Sequence, residues 1–135
     1  MNTTVVLALV AVLFLVPLQA VAHHAFAAEF DVSKAVTLQG TVAKMEWTNP
    51  HIWIYVDAKD ADGKVTRWQC EGGSPNTLVR QGWTKQVLKQ GDQITIDGYR
   101  AKDGSNTCNS RSVKLADGTR LFAGSSVAES APARQ

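Results

Sequence analysis

Apolar residues recur at every second position along much of this chain, and that period narrows most sharply what it can fold into. Val36, Leu38, Gly40 and Val42 alternate with Thr37, Gln39, Thr41 and Ala43. Ile52, Ile54 and Val56 alternate with His51, Trp53, Tyr55 and Asp57. Ile94, Ile96 and Gly98 alternate with Thr95 and Asp97. A period of two gives a strand one face for a core and one for water. Asp62-Gly63 reads as a hairpin turn, so Val65 to Glu71 is a returning strand. Ser110 to Leu115 is a last strand, with Arg120-Leu121-Phe122 a short addition after Asp117-Gly118.

One helix interrupts the strands. Ser74-Pro75 reads as an N-cap followed by proline at the first helical position. The helix runs from Pro75 to Gln81, turns Leu78 and Val79 to the core, and ends at Gly82. The expectation is a mainly β domain, a small five-stranded OB-fold-like barrel with one short helix between strands 3 and 4. A small β-sandwich is the alternative.

Val5 to Val16 is an apolar run closed by Pro17, and Ala20-Val21-Ala22 follows. That is the layout of a secretory signal with an A-x-A site. The run is shorter than the roughly 20 apolar residues of a membrane span. The chain therefore divides into a signal peptide (1–22), an N-terminal arm (23–34), the β-barrel domain (35–123) and a flexible tail (124–135). Export places the mature protein in the periplasm or outside the cell, with no stable membrane span after cleavage. Ala25-Phe26-Ala27 is a second A-x-A match, and a cut there would discard both preceding histidines.

The net charge of +2 is mild and argues against a nucleic-acid partner, which calls for a basic stripe. The two cysteines, Cys70 and Cys108, suit a disulfide in an oxidising compartment, with two separate thiols as the other reading. The third and fifth strands of an OB-fold run parallel, but these two positions need not be adjacent. Neither cysteine forms a C-x-x-C pair, so thioredoxin-like and zinc-ribbon readings have no support.

Cleavage after Ala22 would leave His23 at the mature N-terminus, followed by His24. A terminal histidine is itself a chelate, through its α-amine and imidazole Nδ1. With His51, the only other histidine, these residues form a candidate metal site. A set of nitrogen ligands suits Cu(II), which tops the affinity order of the divalent first-row ions. The plainer reading is a His-His start with adventitious affinity. A ligand surface is the second candidate: Trp47, Asn49, Trp53, Tyr55, Trp68 and Glu71 are expected to bind a small organic or peptide ligand by stacking and hydrogen bonding. No G-x-S-x-G, H-E-x-x-H or Gly-rich phosphate loop occurs, so no catalytic residue is assigned and a binding module is expected.

The segments His23-His24-Ala25-Phe26, Leu38-x-Gly40-Thr41-Val42 and Asn49-Pro50-His51-x-Trp53 resemble the DUF6152 family of small exported bacterial proteins. So do Gly73-Ser74-Pro75-Asn76-x-Leu78, Gly82-Trp83, Gly91-Asp92 and Lys102-Asp103-Gly104. The resemblance runs from about His23 to about Leu121. It implies export and a single β-rich domain, and carries over no activity and no catalytic residue. Cys70 and Cys108 are not part of the family's pattern as it is known.

Overall fold

The computed structural model describes residues 26–124. After a helical turn at residues 26–29, six strands follow: β1 (Phe30–Glu46), β2 (Trp53–Lys59), β3 (Val65–Glu71), β4 (Gln93–Ala101), β5 (Thr107–Leu115) and β6 (Arg120–Phe122). Helix α1 (Pro75–Arg80) lies between β3 and β4. The fold is mainly β.

Strand β1 is the spine. It pairs antiparallel with β2 on one side and with β4 on the other. Gly40 and Thr41 pair in both directions, Gly40 with Ala58 and Ile94, Thr41 with Asp57 and Gln93. A Cβ on Gly40 would lie 2.2 Å from the Asp57 carbonyl oxygen, so only glycine permits this approach. The strand starts at Phe30, before the alternation that begins at Val36.

The remaining pairings run β2 with β3 and β4 with β5, both antiparallel. Strands β3 and β5 then pair in parallel through Gln69 with Thr107, Cys70 with Cys108, and Glu71 with Asn109. Hydrogen bonds thus pass around a closed ring, β1-β2-β3-β5-β4 and back to β1. Strand β6 adds to the outer side of β5.

Alternation decides what the ring encloses. Ile54, Val56 and Ala58 of β2 are buried while Trp53, Tyr55 and Asp57 are half-buried. Val42, Ile94, Ile96, Cys70, Cys108 and Val113 join them in one core. Helix α1 contributes Leu78, which is fully buried. Val79, expected beside it, is 58% exposed. Successive helical residues point about 100° apart, so a helix this short buries one row only. Ser74 caps it by accepting a hydrogen bond from Thr77 N. Beyond the helix, Trp83 is buried and its Nε1 donates to Phe122 O at 2.7 Å. A smaller cluster lies outside the ring, where Phe26 and Phe30 pack with Tyr99 and Ala101.

Cys70 and Cys108 are bridged, with Cα atoms 4.5 Å apart. They are register partners across the parallel seam, which removes the objection that their strand positions need not meet. The bridge joins points 38 residues apart in sequence. Such a loop restricts the unfolded chain by about 3–4 kcal/mol in the chain-entropy view. Replacing both cysteines by serine is expected to lower unfolding free energy by about 2–4 kcal/mol, read from urea denaturation. An unchanged midpoint would contradict the role given to the bridge.

Candidate functional site

His51 is placed by its neighbours rather than by a strand. The Asn49–Pro50 peptide is cis and brings the chain round to β2. Thr48 Oγ1 then donates to His51 O at 3.2 Å. Ile52 N donates to Gly73 O, and Gly72 N donates to Ile52 O. A Cβ on Gly72 would lie 2.7 Å from Ile52 Cγ1, so the glycine lets the end of β3 close against this segment. His51 therefore stands beside the last residues of β3.

The imidazole lies against two acceptors. Its Nδ1 is 2.9 Å from Gly72 O and 3.0 Å from Glu71 Oε1. A carbonyl and a carboxylate oxygen both accept, so the proton of the neutral ring belongs on Nδ1. The lone pair of the neutral ring is then on Nε2. The Glu71 side chain is only 13% exposed, against 35% for His51, so the contact is partly screened from water.

Cross-strand register adds a row to this pair. Trp53 is opposite Glu46 on one side and Glu71 on the other. Glu71 is opposite Asn109, and Asn109 opposite Tyr99. Directly opposed residues share a face, so these side chains form one band on the outer surface. Asn109 was not anticipated from sequence. Its place follows from the β3–β5 seam, and β5 begins at Thr107, three residues before the strand expected from Ser110.

Tyr55 lies on the same outer face, but its polar and aromatic surfaces are engaged. Its hydroxyl donates to Glu46 Oε2 at 3.2 Å, and Lys44 Nζ sits 4.4 Å from the ring centroid. Partial burial, then the Glu46 bond, raise the phenol above its ordinary value. The 2.6 Å contact with Lys44 holds the Glu46 carboxyl below the usual carboxylate range. Asp57 and Arg67 form a two-bond pair further along this face.

The other expected ligand residues lie elsewhere. Trp68 is the register partner of Val56 and packs against the core. Arg100 covers it, with Cζ 5.2 Å from the ring centroid. Trp47 also packs against the core, and Asn49 is exposed in the loop before β2. The structure thus brings His51, Trp53, Tyr55 and Glu71 to one face and leaves Trp47, Trp68 and Asn49 apart. His23 and His24 lie outside the described residues, as do the apolar run and its cleavage motif. Among the described residues no three His, Cys, Asp or Glu gather as a metal site, and no helix is long and apolar enough to cross a membrane.

The profile of DUF6152, described as a family of unknown function, matches residues 11–110. The chain belongs to this family. The matched span includes the His51 loop, the Glu71-Gly72-Gly73 turn and Asn109, so the whole band of the site lies within the DUF6152 region. No curated protein and no solved structure matches the chain.

The tautomer of His51 is a direct check on this geometry. Long-range proton–nitrogen NMR of the neutral ring is expected to show Nδ1 protonated and Nε2 bare. Glu71→Ala is expected to leave a mixed population, because one of the two acceptors is lost. A wild-type ring protonated on Nε2 would contradict the arrangement.

Proposed function

We propose that the chain is an exported, non-enzymatic binding module that holds one copper ion through its N-terminal histidines and His51. The observation that carries this reading is the commitment of His51 Nδ1 to Gly72 O and Glu71. Metal-ligating histidines commonly donate their second nitrogen to a carbonyl or carboxylate, which sets the tautomer and raises ligand basicity. Here that support is in place, and Nε2 is the nitrogen left to bind.

The first of the described residues packs at one end of this band. Phe26 packs on Tyr99 with ring centroids 6.1 Å apart. From Tyr99 through Asn109 to Glu71 is two strand spacings, or about 10 Å. Three residues of chain, which span up to roughly 10 Å, separate His23 from Phe26 in the sequence. Cleavage after Ala22 would give His23 a free α-amine, whose pKa of about 8 lets it deprotonate on binding. The amine and two or three imidazoles make a donor set suited to Cu(II).

The same reading takes the ring as an OB-fold barrel. The strand order β1-β2-β3-β5-β4, with a helix between the third and fourth strands, supports it. A second reading keeps the recognition role without a metal. Trp53 lies between Glu46 and Glu71, a setting for a cationic organic or peptide ligand.

The two readings separate by mutation. One residue added before His23 is expected to weaken Cu(II) binding by more than about 100-fold, beyond what loss of an outer-shell contact costs. His51→Ala is expected to weaken it as well, and Trp53→Ala to leave it nearly unchanged. Competition titration of the exported protein reads all three. Unchanged copper affinity after the N-terminal addition would overturn the copper reading.

A further inference from the structure

We propose that the cleft at the far end of β2 is a second binding site, which takes a short acidic oligosaccharide: a hydroxylated body with a negative group towards each end. The site is separate from the His51 face and does not rest on the copper reading. Trp53 opens β2 and Lys59 closes it, so the two lie about 20 Å apart along one strand. The cleft has a volume of about 750 Å³, within the range of sites that take organic ligands. A single inorganic anion would leave most of it to water.

Strand register builds the cleft as one row. Ala58 and Ile94 are buried in the core, so Lys59 and Thr95 beside them face outward. Gln39 is opposite Thr95, and Thr95 is opposite Lys114. Gly40 is opposite Ala58, so the next step of that antiparallel ladder sets Lys59 beside Gln39. The row therefore runs Lys59, Gln39, Thr95, Lys114 across β2, β1, β4 and β5, and all four line the cleft. Three strand spacings, about 14 Å, separate the two lysine backbones.

The charges at the two ends lack partners on the protein. Among the described residues neither the Lys59 nor the Lys114 ammonium makes an ion pair or hydrogen bond. The carboxylates nearby are committed elsewhere. Asp57, in the cleft wall, forms its two-bond pair with Arg67. Asp60 accepts from the backbone N–H groups of Asp62 and Lys64 within the hairpin loop. Arg120 is directly opposite Lys114, and it takes Asp97 at 2.7 Å. Like charges in opposed positions repel, and an anion bound at this end relieves that repulsion.

Between the lysines the lining is neutral and polar. Gln39, Thr41, Gln93 and Thr95 carry amides and hydroxyls, which both donate and accept, as sugar hydroxyls do. Gln93 Nε2 donates to Thr41 Oγ1 at 2.7 Å, so the Thr41 hydroxyl hydrogen is left to donate onward. An apolar ligand finds little to match in this row, and a neutral one leaves both lysines unused.

Calorimetric titration of the intact protein at low salt tests this, with di-, tri- and tetragalacturonate as probes. The oligomers are expected to bind, and to bind less well as salt is added, because both lysines are exposed. Lys59→Gln and Lys114→Gln are each expected to weaken binding about 2–5-fold, the scale of an exposed ion pair, and the double variant by the product of the two losses. Lys85→Gln, outside the cleft lining, is expected to change nothing. Neutral maltotriose is expected to bind the wild-type protein no better than the double variant binds trigalacturonate. Matched thermal midpoints check that the variants fold. No binding of any oligomer, phosphate bound as tightly as trigalacturonate, or an equal loss from Lys85→Gln would overturn the proposal. So would amide NMR shifts on trigalacturonate addition that centre on Trp53 instead of Gln39 and Thr95. Failure of the protein to bind copper leaves all of these outcomes unchanged.

Discussion

Everything described for this chain depends on a seam of three residue pairs between β3 and β5. Without it the strands would form an open sheet in the order β3-β2-β1-β4-β5-β6, with β3 at one edge. A parallel ladder this short has little stability of its own, because parallel pairing needs its ends brought together from afar. The Cys70–Cys108 bridge sits on the middle pair and supplies that closure covalently. The next pair, Glu71 with Asn109, is held in register as a result. Glu71 in turn meets His51. The bridge therefore links closure of the core to placement of the candidate ligands.

Much of the ring was legible as alternation. Strand β2 and most of β1 follow the period of two, because each has one face on the core and one on solvent. The helix was legible from Ser74-Pro75 because capping is local chemistry. The ends of strands were not. Asp31, Ser33 and Lys34 belong to β1 but carry no alternation, since this stretch lies outside the main core. Thr107 to Asn109 show one inward residue only, Cys108, which is too little to read as a strand.

The candidate site was legible residue by residue but not as an arrangement. Trp53 and Tyr55 share a face by strand periodicity alone, whereas His51 lies just before β2 and is placed by its contacts with Glu71 and Gly72. Trp68 followed the same rule to the opposite result: it shares parity with Cys70, and once Cys70 faces inward, so does Trp68. The contact of His51 with Glu71 and Gly72 spans about twenty residues and depends on Gly72 closing against Ile52. No local signal encodes that. Asn109 depends on register across the seam, which the spacing of Cys70 and Cys108 left open.

The outer face shows how polar groups are shared between structure and function. Lys44, Glu46 and Tyr55 satisfy one another, as do Asp57 and Arg67. Beside them, His51 Nδ1 meets Gly72 O and Glu71, and the buried Asn109 Oδ1 has no hydrogen-bond partner among the described residues. The most direct measurement of the proposed export and copper binding is the intact mass of the protein recovered from its native cells, followed by Cu(II) titration of the same sample. A chain beginning at His23 that binds one copper ion tightly is the predicted result. A chain beginning at Ala28, or one beginning at His23 that binds copper only weakly, would contradict the account.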